Sequence, residues 1–389
     1  MKKLNIAIIC DPLTHLISGS MISTIRFAGQ LRKKGHKVIF LAAQDETKKP
    51  VTFFRDFKVY RFGPIKLPGS QGQYLLAYPR VGRIKGIYKE EQIDIVHTID
   101  PTLLSIFSLR AARTMGIKTV MHSHMQPENV ALQLGSFFQR PWFQNLIYRY
   151  LIWIYRKVNM VICPSEFAMG MLRKYNQTIP ICVISNGVEL SRFKIMDSAA
   201  FSQKYNLSPE EQKILYIGRL HKEKSVHTLI EAMPAILKEY PKTRLNLVGI
   251  GHLMDDLKKL ATDLKVSESI TFFGKLPDEE MALAYNACTF FVLPSVAELE
   301  GMAVLEAMAC GKPVIISDSA LSASSYFVKG NGFIFKLQNP QDLAEKCITL
   351  LKNPTMVAQM GEKSRTLAET YDIKKSGDKL ESLYYSILA

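Results

Sequence analysis

The chain has 389 residues, too many for one ordinary hydrophobic core and enough for two or three domains. Hydrophobic residues make up 47%, charged residues 22%, and the mean hydropathy is +0.02, which excludes a disordered chain, a collagen and a disulfide scaffold. No apolar run reaches the ~18 residues that a spanning helix needs.

The net charge of +15 is unevenly placed: residues 1–189 hold 26 Lys+Arg and 11 Asp+Glu, whereas residues 190–389 hold 24 of each. An excess confined to one half points to a polyanionic partner, whether nucleic acid, an anionic membrane or a phosphorylated substrate. The bland alternative is a basic surface that serves solubility. The opening MKKLNIAIICDP is apolar for only a few residues before Asp11 and Pro12, too briefly for a signal peptide. It reads as the first strand of a cytoplasmic protein. Six scattered cysteines (Cys10, Cys163, Cys182, Cys288, Cys310, Cys347) form no CxxC pair and read as reduced, mostly buried thiols.

Taken in chain order, LNIAIIC is a strand and Ser18 to Lys34 a helix, with Met21, Ile22, Ile25, Ala28 and Leu31 at helical spacing and Gly35 as its stop. KVIFLAA, IDIVHTI, IKTVMHSH, MVICPS and ICVIS follow as strands, with helical patterns between several of them. A parallel sheet with crossover helices is the economical arrangement. The polar stretch VELSRFKIMDSAAFSQKYNLSPEEQK marks a boundary, and the alternation restarts with KILYIGRL, RLNLVGIG, SITFFGKL, TFFVLPS, KPVIISD and GFIFKL. The expected organisation is two α/β halves, 1–190 and 191–372. A final helix within 373–389 carries Leu380, Leu383, Tyr384 and Ile387 on one stripe and is expected to pack back towards the N-terminal half.

Two motifs of the second half carry chemistry. In PSVAELEGMAVLEAMACGKPVI (294–315) a strand runs into a loop, Gly301 allows close backbone approach, and a helix is expected from about Met302. The free N–H groups and the dipole of such a helix start make an anion site, at the strand ends where open α/β sheets bind ligands. Glu298 and Glu306 flank it, and a carboxylate can accept two hydroxyl hydrogen bonds from a sugar or ribose. Glu306 sits among Val304, Leu305, Ala307, Met308 and Ala309, so a buried, paired carboxylate is expected. In LYIGRLHKEKSVHTLIEAM (215–233) a strand ends in Gly-Arg and Lys224 precedes a helix. Arg219 and Lys224 together suit a diphosphate.

These residues resemble the retaining glycosyltransferases of family 4 (group 1), which have the two-domain GT-B fold. The E-x7-E pair Glu298 and Glu306 and the segment GRLHKEKS carry the resemblance. SNGVELSRF (185–193), LVGIG (247–251) and HLISGSMISTIRFAGQLRKKGHKV (15–38) support it. The resemblance implies an α/β chain of two Rossmann-like domains facing across a cleft, the first binding the acceptor and the second the nucleotide sugar. It implies that Arg219 and Lys224 neutralise the donor diphosphate, that Glu306 holds the ribose, and that Glu298 holds the transferred sugar. The backbone of Gly301, Met302, Ala303 and Val304 would face sugar and phosphate. Gly19 and Ser20 take the place of the family's glycine loop, with Ser20 a departure from a second glycine or small apolar residue. His124 takes the place of the active-site histidine and His122 that of a common threonine; His97 is a further family-like position on the acceptor side. No D-x-D occurs, so no metal and no cofactor are implied; the nucleotide sugar is a co-substrate. Departure and attack on one face of the sugar is the expected mechanism.

Residues 137–157, FFQRPWFQNLIYRYLIWIYRK, hold both tryptophans, Trp142 and Trp153, among Arg140, Arg149, Arg156 and Lys157. An aromatic, basic helix of this kind lies in a headgroup plane or packs on the core. With the charge excess and the basic, aromatic loop 58–86 in the same half, the expectation is a protein attached peripherally to the inner face of an anionic membrane. The family's membrane-surface members glycosylate lipids, so a transfer of glucose from UDP-glucose to diacylglycerol is expected. A soluble or polyprenyl-linked sugar acceptor is the alternative. A nucleic-acid-binding protein is the distant one, since no nucleic-acid motif occurs.

Overall fold

The computed structural model describes residues 2–11, 13, 19–66 and 75–389. Residues 67–74 of the basic 58–86 segment and residues 15–18 of the glycine-loop match lie outside the described residues. The chain forms two compact units, one made of Met1–Pro127, Arg140–Asn186 and Ile373–Ala389, the other of Glu128–Gln139 and Gly187–Asp372.

The first unit holds strands β1 (Asn5–Ile9), β2 (Lys37–Ala43), β3 (Val51–Phe54), β4 (Phe57–Phe62), β5 (Pro64–Lys66), β6 (Leu75–Ala77), β7 (Ile95–Thr98), β8 (Lys118–His122), β9 (Met160–Cys163) and β10 (Ile181–Val183). Eight of them form one sheet in the order β10-β9-β8-β7-β1-β2-β4-β3. All its neighbours are parallel except the edge pair β3 and β4, and β5 and β6 pair apart from it. The expected loop 58–86 is therefore corrected in its described part: it contributes β4, whose Val59 and Phe62 are buried in the sheet's two faces, and the start of a helix, Val81–Glu90. The strands read as continuous apolar runs because both faces are covered. Period-two alternation sorts their side chains: Ile6 and Ile8 join Phe27, Leu31, Leu380 and Tyr384 on one face, while Ala7 and Ile9 join Ile84, Tyr88, Leu104 and Ala112 on the other.

The second unit holds β11 (Gln212–Ile217), β12 (Thr243–Val248), β13 (Ile270–Gly274), β14 (Phe290–Leu293), β15 (Ala297–Glu298), β16 (Val314–Ser317), β17 (Leu321–Ser322) and β18 (Gly332–Phe335). Six of these make an all-parallel sheet in the order β13-β12-β11-β14-β16-β18. This is the doubly wound order of dinucleotide-binding units, in which the chain reverses its direction of travel between the first and fourth strands, here β11 and β14. The short β15 and β17 pair beyond the sheet's carboxyl edge. Five of the six cysteines are buried and all are free.

The last helix, Ile373–Leu388, belongs to the first unit. Leu380 and Tyr384 are fully buried, and Leu383 and Ile387 pack against the same cluster. It lies close to the helix Gly19–Lys33: a Cβ on Gly377 would stand 2.8 Å from Cβ of Gln30. Glu381 binds His36 Nε2 at 2.9 Å and Lys34 Nζ at 2.7 Å. We expect Leu380→Ala to destabilise the first unit by about 2–5 kcal/mol through lost burial and a cavity, read as a lower urea midpoint. An unchanged midpoint would mean that the helix is dispensable to that core.

Candidate functional site

In the second unit the site is built on the two strands where the order reverses. β11 runs out into Gly218 and Arg219, and β14 runs out towards Glu298 and Gly301. Two glycines of LVGIG let the loop after β12 lie directly on the first of these turns. A Cβ on Gly249 would stand 1.8 Å from the Gly218 carbonyl oxygen, and one on Gly251 2.2 Å from that of Leu220. No other residue type fits there.

Lys224 and Glu298 meet: Nζ donates to Oε1 at 2.5 Å, and both side chains are largely buried. Glu298 is held in place by β15, its carbonyl accepting from Ala323 N at 2.9 Å. Arg219 Nη2 donates to Glu223 Oε1 at 3.0 Å. Glu223 is fully buried and Oε2 has no hydrogen-bond partner among the described residues. Sequence reasoning did not single it out, although the acid stands inside the quoted GRLHKEKS.

Gly301 has φ +96°, in the left-handed region, and a Cβ there would stand 2.2 Å from Ser324 Oγ; glycine is the residue that this cap permits. The helix begins at Met302 and runs to Ala309. Val304 N donates to the Gly301 carbonyl at 2.9 Å, so this amide is engaged in the turn. Met302 and Ala303, the first helical residues, have no intrahelical carbonyl to bind. Glu306 is buried inside the helix and accepts a hydrogen bond from Tyr285 Oη at 3.1 Å. One unit thus brings together Arg219, Lys224, Glu298, Gly301 and Glu306 on one carboxyl edge: two cations, two carboxylates and a helix start.

The first unit repeats the arrangement with β1 and β7 as the strands of the reversal. Gly19 and Ser20 are the first residues of the helix Gly19–Lys33. That helix is tied to the carboxyl edge by Ser23 Oγ donating to Asn186 Oδ1 at 2.6 Å, both buried. His97 lies on β7, His122 ends β8, and His124 follows two residues on. Their rings stack: His97 on His122 at 4.7 Å between centroids, His122 on His124 at 4.9 Å. Burial pushes His97 down to about 3 and His124 to about 4, and it holds His122 well below the usual imidazole range, with His97 and His124 adding to the effect. All three are neutral at pH 7. Asp11 and Asp100, at the ends of β1 and β7, escaped the sequence reading. Asp11 accepts from Ala43 N at 3.1 Å and Ala77 N at 2.9 Å. Burial raises Asp11 to about 6, and burial with Asp11 nearby raises Asp100 to about 7. The signal available was an Asp-Pro pair closing each of two apolar strands, Asp11-Pro12 and Asp100-Pro101.

The aromatic, basic stretch forms a short turn, Ser136–Gln139, and a helix, Pro141–Tyr155, that starts after Arg140. Tyr148, Leu151, Ile154 and Tyr155 form its buried face. On the other side Trp142 is 51% exposed, Leu146 57% and Trp153 49%. Arg149, Trp153, Arg156 and Lys157, with Ile152 and Tyr175, line a cleft of about 510 Å³. Lys157 Nζ stands 3.0 Å from the Trp153 ring centroid. Among the described residues, no helix is long and apolar enough to cross a membrane.

Two family models match in succession: "Glycosyltransferase Family 4" over residues 17–192 and "Glycosyl transferases group 1" over 197–367. The chain is 28% identical over 319 residues to the alpha-monoglucosyldiacylglycerol synthase of Streptococcus pneumoniae, covering 80% of this chain and 70% of that protein. Among solved structures, sucrose-phosphate synthase from Thermosynechococcus elongatus superposes with a TM-score of 0.81 at 22% identity, covering 99% of each chain. Anabaena HepE in complex with UDP-glucose superposes at 0.78 and 19% identity, covering 98% of this chain and all of that one. At those identities the structural likenesses speak for the fold.

The acids and the histidines of the first unit have opposite pH signatures. Asp100 is raised in the folded state, so the stability it contributes is present below the ordinary aspartate range and is lost as pH rises through about 7. The histidines are depressed, so their contribution is present above pH ~6.5 and is lost as pH falls. We expect Asp100→Asn to be more stable than the wild type by roughly 2–4 kcal/mol at pH 8, with the gain shrinking towards pH 5. Thermal unfolding of both proteins at the two pH values checks this; an equal difference at both would mean that Asp100 titrates as a surface carboxylate.

Proposed function

Since the chain belongs to the family 4, group 1 glycosyltransferases of GT-B fold, we propose that it is a retaining, metal-independent hexosyltransferase that moves glucose from UDP-glucose to diacylglycerol at a membrane surface. The observation that carries the donor half is the Lys224–Glu298 contact on the carboxyl edge of a doubly wound sheet. A cation for phosphate and a carboxylate for sugar hydroxyls are held within hydrogen-bond reach of each other, beside the helix start at Gly301.

On this reading the donor's diphosphate takes up Arg219 and Lys224, and the amides at the start of the Met302 helix add their partial positive charge. Glu298, released by Lys224, accepts from hydroxyls of the transferred sugar, and Glu306 from those of the ribose. The bond from the sugar's anomeric carbon to the diphosphate oxygen breaks, and a bond to the acceptor oxygen forms on the same face. The acceptor's proton goes to the departing diphosphate. Preorganised cations stabilise that departing charge without a metal. Neutral His124 orients the sugar or the acceptor, and Gly19 and Ser20 approach the reacting sugar of the donor.

The lipid acceptor is supported by the half-exposed Trp142 and Trp153 beside Arg149, Arg156 and Lys157, by the +15 confined to residues 1–189, and by the diacylglycerol-linked product in the pneumococcal relative's name. Attachment would be peripheral, on the cytoplasmic face. The second reading keeps the chemistry and replaces the lipid by a soluble or polyprenyl-linked sugar. A panel of nucleotide sugars, assayed for transfer with and without anionic liposomes containing diacylglycerol, separates the two.

Arg219→Ala and Lys224→Ala are each expected to lower kcat/KM by on the order of 10²-fold or more, while wild-type activity persists in EDTA. Near-normal turnover in either folded variant, or activity that needs added Mg²⁺, would overturn the donor assignment.

Replacing Arg149, Arg156 and Lys157 by Glu should abolish sedimentation with anionic liposomes and leave nucleotide binding intact. Wild-type binding should weaken as salt shortens the Debye length from ~10 Å at 0.1 M to ~3 Å at 1 M. Trp142→Ala and Trp153→Ala should weaken binding at low salt with little change in melting temperature, because both rings are half exposed. Wild-type protein that ignores such liposomes would remove the lipid acceptor in favour of a soluble one.

A further inference from the structure

Glu223 is the acid of the GRLHKEKS turn, and the proposed chemistry gives it no part. Its side chain is fully enclosed, yet Oε2 has no hydrogen-bond partner among the described residues. The polar groups about Oε1 are Arg219 Nη2 at 3.0 Å, Gln133 Nε2 at 3.4 Å and His221 Nδ1 at 3.8 Å; Gln133 belongs to the same unit. Burying a carboxylate is costly, and one whose second oxygen stays unsatisfied recovers only part of that cost. Arg219 does not need the acid for solvation, since its own side chain is 43% exposed. Folding alone therefore gives no account of a carboxylate sealed beside a guanidinium that water can reach.

The backbone of the turn is fixed without this pair. Tyr216 Oη donates to the Arg219 carbonyl at 2.8 Å. Leu220 N donates to the Ile250 carbonyl at 3.0 Å, and Val296 N to the Glu223 carbonyl at 2.8 Å. None of these bonds orders the long Arg219 side chain. Its hydrogen-bond partner among the described residues is Glu223. A guanidinium carries several N–H donors in a planar fork, and this contact occupies one of them.

We propose that Glu223 is a positioning residue: it holds the Arg219 guanidinium in one orientation and leaves its other N–H groups to the donor diphosphate. The inference rests on the donor reading of this site. Charge gives it a test by sign. Glu223 is itself negative, so by charge alone it repels a diphosphate and weakens its binding. It can favour the diphosphate only through Arg219, by ordering that side chain before the ligand arrives. Preorganisation and repulsion predict opposite effects for the same substitution.

The test titrates UDP, GDP and ADP into the full chain and keeps the nucleotide that the wild type binds most tightly. Ligand-observed NMR follows the titrations, because it reaches weak affinities. Glu223→Gln removes the charge at nearly constant shape and is expected to weaken binding about tenfold. In the Arg219→Ala background the same change no longer weakens binding, and the lost repulsion tightens it. A thermal melt confirms that each variant is folded; if Glu223→Gln does not fold, Glu223→Met carries the same comparison. Tighter or unchanged binding on removing the charge from the otherwise wild-type chain overturns the proposal. So does weakening by a similar factor in both backgrounds, which marks a loosened turn and not a lost orientation. A wild type that binds none of the three nucleotides overturns the donor reading and this inference with it, whereas the preceding outcomes leave the donor reading standing.

Discussion

A parallel sheet covered on both faces leaves one place where backbone and ligand can meet: the carboxyl edge, at the point where successive connections diverge to opposite faces. In the second unit this constraint fixes everything chemical. β11 and β14 are neighbours in the sheet but send their connections to opposite sides, so the Arg219 turn and the Glu298–Gly301 loop share one crevice. Close approach is then a backbone matter. Gly249 lies on the Gly218 carbonyl and Gly301 under Ser324 Oγ, and side chains at either position would force the loops apart. The first unit obeys the same rule at β1 and β7, where Asp11, Asp100 and the histidines gather.

Charges collected in such a crevice must be kept paired when no ligand is bound. Lys224 with Glu298 and Arg219 with Glu223 do this. Removing one partner of a largely buried pair leaves an uncompensated charge, which is costlier than never having had the pair. On the proposed reading the pairing also serves selection. A bare diphosphate that took Lys224 would strand Glu298, whereas a sugar diphosphate supplies hydroxyls to the carboxylate as it takes the cation. The discrimination comes from a buried group left unsatisfied, the strongest kind available to a polar site.

What could be read in the sequence was whatever is encoded within a few residues or by periodicity. Apolar runs ended by turn residues outlined both sheets except the β3–β4 edge, where cations interrupt the apolar pattern, and the stripe of Leu380 and Tyr384 marked a last helix with something to cover. GRLHKEKS and the Glu298–Glu306 spacing were legible because each lies on one strand-to-helix turn. The acids at Asp11 and Asp100 were not, since their chemistry arises from the adjacency of β1 and β7, nearly ninety residues apart in the chain. Tyr384 and His97 lie farther apart still, and no local pattern announces that a hydroxyl of the last helix will end a histidine chain. Glu223 was in view and passed over: an acid between two lysines reads as a solvated loop until Val296 N is seen donating to its carbonyl and burial closes round it.

The helix Pro141–Tyr155 shows why the sequence left two readings open there. The packing reading holds for one face of the helix, and the other face is exposed. Its core face, Tyr148, Leu151, Ile154 and Tyr155, is closed, which is the packing reading. A second row, Trp142, Leu146 and Trp153, recurs at four- and seven-residue steps on the outside. Folding of the unit needs the first row and gains little from the second, so large rings there would be a liability in water unless something else uses them. Cations flank that row, and Lys157 lies on the Trp153 face, an attraction that strengthens as water leaves. On the proposed reading, an interface with apolar depth and anionic headgroups would answer both features at once. A purely aqueous acceptor accounts for the cations but not for the rings.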